Sequence, residues 1–166
     1  MKKLFSILLI LLFTQQAKAE TFNLGVSIDD VPKALYGSWR VFASLDSTNS
    51  PKTFKPKSID FWELSRVDNI IKLNNQFSGA QAEISVQTVE GNIVVFSKRL
   101  PYDNKILTDT VTIRLNENEF SGINTLSLES YSLVDNHLMK TETATYQIKG
   151  EKIAGDSVLI ESNTEH

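Results

Sequence analysis

The chain has 166 residues, no cysteine, 17 basic and 20 acidic side chains, and a formal net charge of −3. That length suits one domain with its own core. The acidic balance excludes a general nucleic-acid binder, which needs surplus cations to displace counterions. The absence of cysteine excludes a disulfide scaffold and a thiolate nucleophile.

The first residues read as a secretory signal. Lys2 and Lys3 form a basic start, residues 4–13 are a ten-residue run that is apolar except for Ser6, and Ala17-Lys18-Ala19 places small residues at the two positions a signal peptidase inspects. An apolar run of ten is too short to span a bilayer, which takes ~20 residues. Cleavage is predicted after Ala19, and without a cysteine no lipoprotein anchor follows. Removal of residues 1–19 takes three lysines and no acid, so the net charge moves from −3 to −6. Together with a composition rich in Lys, Asn and Ile, this predicts a bacterial export, periplasmic or extracellular. The expected organisation is a signal over 1–19, one domain over 20–160 and a polar tail over 161–166.

A short helix is predicted next. Asp29 or Asp30 suits its N-cap, Pro32 its first turn, and Val31, Ala34 and Leu35 give it one apolar side. Beyond it, apolar residues recur with period two, as strands require. Trp39, Val41, Ala43 and Leu45 alternate with Ser38, Arg40, Phe42 and Ser44. Val111, Ile113 and Leu115 alternate with Thr110, Thr112 and Arg114. The pattern predicts strands over 37–45, 58–65, 69–74, 80–89, 92–99, 107–116, 122–134 and 138–149, with a ninth over 152–160. Turns are predicted at Glu90-Gly91-Asn92, at Asp135-Asn136-His137 and at residues 149–152, where Asn, Asp and Gly tolerate positive φ. Residues 101–105 read as a longer loop. Residues 46–58, with two prolines, three lysines and Phe54, read as a long and functional one. Short turns between evenly spaced strands point to a meander, closed as a barrel or folded as a sandwich.

The stretch Asp30-Val31-Pro32-Lys33-Ala34-Leu35-Tyr36-Gly37-Ser38-Trp39 resembles the opening of the lipocalins and wider calycins. It carries a short helix, then Gly-x-Trp at the start of the first strand, ahead of a long first loop. The resemblance implies an all-β, antiparallel, eight- or nine-stranded up-and-down barrel with a short N-terminal helix plugging one end. Gly37 would let the backbone approach closely, Trp39 would close the floor, and residues 46–58 would overhang the mouth. The family's arginine, which covers that tryptophan from the last strand, has no counterpart here; that region offers Lys149 and Lys152.

Chemistry-bearing constellations are few. The two histidines are His137, in a predicted turn, and His166, the last residue. No Gly-x-Ser-x-Gly elbow surrounds any serine, and no His or Asp cluster has metal-ligand spacing. Asp60 and Glu63 flank Phe61-Trp62 on opposite strand faces, unlike an acid–base couple across a cleft. No catalytic residue, metal site or cofactor is therefore assigned. The binding candidates are Phe54 with Lys52, Lys55 and Lys57 on the mouth loop, where an apolar tip between cations suits an amphiphile with an anionic head. Trp62 joins them as the aromatic that alternation places on one face against Phe61 on the other. Tyr131, with Tyr146 across the next turn, forms a cross-strand aromatic pair or lines a cavity. The expected function is binding of a small apolar or amphipathic molecule by an exported barrel that does not span a membrane. The alternative is a non-catalytic module with a filled barrel that binds another protein. Small inward candidates, Ala43, Ala82, Ser130 and Ala144, lean toward a cavity.

Overall fold

The computed structural model describes residues 26–75 and 79–154; the predicted signal over 1–19 and the tail over 161–166 lie outside them. Two single 3-10 turns, Ile28–Asp30 and Lys33–Leu35, precede eight strands. These are β1 (Gly37–Thr48), β2 (Lys57–Val67), β3 (Ile70–Asn74), β4 (Gln81–Glu90), β5 (Ile93–Tyr102), β6 (Lys105–Asn116), β7 (Glu119–Tyr131) and β8 (Leu138–Ala154). Each is antiparallel to its neighbours, and β8 pairs back onto β1 to close the barrel. Closure removes the sheet edges that an open meander would expose. The sandwich alternative is thereby set aside; of the ninth strand predicted over 152–160, residues 152–154 belong to β8, and 155–160 lie outside the described residues.

The period-two pattern becomes an inside and an outside. Trp39, Val41, Trp62, Leu64, Ile71, Leu73, Ile84, Val94, Phe96, Val111, Ile113 and Leu115 all turn inward and are buried. The residues between them, such as Gln81, Glu83, Thr112, Arg114, Lys149 and Glu151, turn outward. Apolar inside and polar outside is the reverse of a barrel embedded in lipid. No described helix is long and apolar enough to cross a membrane.

The predicted N-terminal helix is not a regular helix. Pro32 disfavours helical geometry at the residue before it, and Val31 is extended (φ −71°, ψ 124°). The segment breaks there into two separate turns. The first is capped by Ser27, whose Oγ accepts from the Asp29 backbone N–H at 3.4 Å, rather than by either aspartate. Asp29 instead pairs with Arg66 at the end of β2 (2.7 Å), tying the segment across that barrel end.

Gly37 opens β1 at φ 120°, a conformation that favours glycine. Two residues on, Trp39 is fully buried and donates its indole N–H to the Leu35 carbonyl at 2.8 Å. Its ring lies 5.0 Å from Phe120, which stacks at 5.8 Å on Trp62, which meets Phe96 edge-on at 6.3 Å. These rings, with Val31, Leu35 and Tyr36, fill this end of the barrel. Lys152, near the end of β8, covers Trp39. Its Nζ sits 5.3 Å over the Trp39 ring and donates to the Ala34 carbonyl at 3.3 Å.

Lys152 lies there because β8 does not turn at residues 149–152. The strand runs straight through Gly150, which pairs with Val41 on one side and Phe120 on the other. The Phe120 ring occupies the space a side chain on residue 150 would need; a Cβ there would lie 2.1 Å from it. That glycine is a packing residue, not a turn residue. Residues 101–105 are likewise no long loop: Tyr102 pairs with Lys105, leaving Asp103 (φ 54°) and Asn104 as the turn. Pro101 is tolerated because β5 pairs with β4 only as far as Ser97, so beyond it β5 has one hydrogen-bonded neighbour.

Candidate functional site: the upper barrel lumen

The aromatic floor leaves the opposite half of the barrel unfilled. A cavity of about 380 Å³ lies there, walled by Val41, Ala43, Leu100, Leu107, Leu126, Tyr146 and Ile148. Trp62 lies at its floor end, and Thr53, Phe54 and Lys55 cover its mouth side. The inward register continues up β1, β2 and β5 to β8, so these walls follow from the same alternation that builds the floor.

The mouth loop is shorter than the sequence suggests, because β1 continues to Thr48 and β2 starts at Lys57. Residues 49–56 remain, and they are fastened to β8. The Asn49 backbone N–H donates to the Thr143 carbonyl at 3.2 Å, while the Thr143 N–H donates to Asn49 Oδ1 at 2.7 Å. Glu142 points inward from β8 under the loop. Its carboxylate accepts from Ser50 Oγ and from Thr53 Oγ1 (2.7 Å), and Lys140 pairs with it at 2.8 Å. Lys140 first, then the two hydroxyls, pull the Glu142 carboxyl down to about 2. Tyr146 reaches up from the lumen and donates to the Lys55 carbonyl at 3.0 Å. Burial pushes this phenol up.

Fastened in this way, the loop turns Phe54 inward. Phe54 is 8% exposed and belongs to the core cluster, so it is a plug, not an apolar tip in solvent. Lys52 and Lys55 are exposed beside it. Lys57 is the first residue of β2 and faces the outer wall. The loop thus separates Phe54 from its lysines instead of presenting them together. Trp62 does face the lumen, with Phe61 outside. Tyr131 is not brought to the lumen: it faces outward, donates to Glu129 Oε2 at 2.8 Å, and pairs with Leu138, whereas Tyr146 pairs with Asn124 on the inner side. The two tyrosines are therefore no cross-strand pair.

The lumen also contains polar residues absent from the predicted binding set, among them Asp60, weighed above only as half of an acid–base couple. Lys98 and Asp109 are register partners on β5 and β6 and form an ion pair at 3.2 Å, both largely buried. Asn124 on β7 donates through Nδ2 to Asp109. Asp60 accepts from the Phe61 backbone N–H (2.9 Å), from the Trp62 indole N–H (3.2 Å) and from Asn75 Nδ2. Their signal was present. Asp109 shares the parity of Val111, Ile113 and Leu115, Lys98 that of Val94 and Phe96, and Asp60 that of Trp62 and Leu64. A charged residue in an apolar register is an inward charge, and interiors hold such groups only when partnered.

His137 lies in the exposed β7–β8 loop, 2.6 Å from Asp135. No group of three or more His, Cys, Asp or Glu with metal-binding geometry occurs among the described residues. A larger concavity, about 810 Å³, lies on the outer wall along Phe42, Ile59, Ile123, Lys57 and Lys149. Exposed apolar side chains also gather on the mouth rim, at Tyr102, Leu133, Val134, Leu138 and Met139.

No family model matches the chain, and no curated protein matches it. Among solved structures, EF1p2_mFAP2b bound to DFHBI is similar at 9% identity, covering 73% of this chain and 95% of its own, with a TM-score of 0.41. A likeness that weak bears on neither ligand nor activity.

Proposed function

We propose that this protein is an exported, lipocalin-like carrier that holds a small amphipathic molecule in the upper half of its barrel. The observation that carries this reading is the division of the lumen. One half is filled by Trp39, Phe120, Trp62 and Phe96, and the other keeps a cavity of about 380 Å³ with apolar walls and a few oriented polar groups. Ligand sites have this composition, and ~300–1,000 Å³ is their usual range. Export rests on residues 1–19 alone, and the lipocalin likeness on the Gly37-Ser38-Trp39 motif and its surroundings.

A second reading, contact with a protein partner, is favoured by the apolar rim and by the outer-wall groove. Uptake of the uncharged fluorescent probe N-phenylnaphthylamine separates the two. The carrier reading expects saturable, blue-shifted fluorescence that is lost in Ala43→Phe, whose new ring fills the cavity. No uptake, or uptake unchanged by Ala43→Phe, contradicts it; the second outcome places the probe on the outer surface.

A further inference from the structure

The charges inside the barrel do not cancel. Lys98 neutralises Asp109, and Lys140 neutralises Glu142 at the mouth. Asp60 is left over. It lines the cavity, and the donors it accepts from, a backbone N–H, an indole N–H and a carboxamide, are all neutral. No ion pair joins it to a Lys, Arg or His among the described residues. Lys55 at the mouth is exposed to solvent and meets the lumen through its carbonyl, which Tyr146 occupies. Of the charged residues that line the cavity, Asp60 is therefore the one carboxylate without a cationic partner.

Hydrogen bonds hold the Asp60 carboxylate in place but do not offset its charge. A half-buried anion in this position attracts a cation and repels an anion more strongly than it would in water. Its surroundings add to that preference. The Trp62 indole is bonded to it, and Tyr146 and Phe54 complete an aromatic lining whose ring faces also favour a cation. The apolar walls of Leu100, Leu107 and Leu126 suit the rest of such a molecule.

From this geometry we infer that the lumen selects an organic cation: a protonated amine on a compact apolar or aromatic body, with the ammonium group at Asp60. This rests on the carrier reading and reverses the headgroup that the exposed lysines suggest. Calorimetric titration of the full chain at neutral pH with phenylbutylamine, phenylbutanol and phenylbutanoate tests it, since the three share one body and differ in charge. The amine is expected to bind about tenfold or more tighter than the alcohol, as a charge-assisted contact implies, and the carboxylate not measurably. Asp60→Asn keeps an acceptor for Trp62 and is expected to abolish the amine's advantage over the alcohol. A thermal melt of that variant reports its folding, and if it fails to fold, the ranking of the three ligands on the unaltered protein decides alone. Alcohol or carboxylate binding as tight as the amine overturns the inference and leaves the carrier reading intact. Binding of none of the three overturns the inference, and absence of N-phenylnaphthylamine uptake in the same preparation overturns the carrier reading with it.

Discussion

Replacing Gly150 by alanine tests the barrel floor more sharply than any change to a large residue. Gly150 lies inside a strand and is not among the residues with positive φ. On backbone entropy alone, alanine there should stabilise by ~0.4–1 kcal/mol. The structure predicts the opposite sign. The new Cβ would sit 2.1, 2.3 and 2.6 Å from three atoms of the Phe120 ring, more than 1 Å inside van der Waals contact. The ring has little room to retreat, because Trp39 stands 5.0 Å away and Trp62 5.8 Å. Overpacking of this kind costs ~1–3 kcal/mol. With a net loss of about 2 kcal/mol and roughly 3–5 °C per kcal/mol for a domain of this size, Tm should fall by roughly 6–10 °C. Thermal unfolding followed by circular dichroism measures it. The cause is checked in a Phe120→Ala background, where the clash is absent. There Gly150→Ala should be neutral or mildly stabilising, giving a coupling of ~1–3 kcal/mol between the two sites. A melting point unchanged by Gly150→Ala, or an equal penalty in both backgrounds, would refute the packing described for the floor.

Three further outcomes follow from the lumen. Lys98→Met should destabilise by ~3–5 kcal/mol because it leaves Asp109 buried and unpaired, whereas Lys98→Met with Asp109→Leu should cost far less; equal losses in denaturant titrations would show that the pair is solvated. The Glu142 carboxyl should titrate near 2 in the folded protein by carbon-detected NMR. Because its folded pKa is depressed, its contribution to stability is full above the ordinary carboxylate range and declines progressively as pH falls from there to about 2, while the folded carboxylate stays ionised and the mouth loop stays fastened in mild acid; a midpoint near ~4.3 contradicts this. Phe54→Ala should unplug the mouth, raising the association rate of N-phenylnaphthylamine in stopped-flow mixing while lowering stability by ~3–5 kcal/mol. An unchanged rate would show that ligands pass elsewhere.

The strand pattern was the most legible part of this chain. Period-two alternation marks the wall because each residue faces either the core or water. Gly37 and Trp39 mark the floor because the positive φ at the start of β1 favours a residue without a Cβ and the core behind it takes a buried indole. What misled were residues whose local meaning is overridden by a distant partner. Gly150 looks like a turn until Phe120, thirty positions away in sequence, is seen to occupy its side-chain space. Pro101 looks like a loop until β4 is seen to stop pairing before that stretch of β5, which keeps β6 alone as its neighbour. Phe54 looks like a solvent tip until Glu142 is seen to gather Ser50 and Thr53 and turn the loop inward. The charged lumen could have been found by parity alone, since Asp60, Lys98 and Asp109 each interrupt an apolar register. Their pairing could not, because it depends on which strands close next to one another.

Binding of a small molecule in the upper half of the barrel carries a direct mass signature. Native mass spectrometry of the protein purified without detergent tests it most directly. A reproducible adduct is expected, removed by solvent extraction and absent from Ala43→Phe. A clean apo mass, in a preparation that also takes up no N-phenylnaphthylamine, would contradict it.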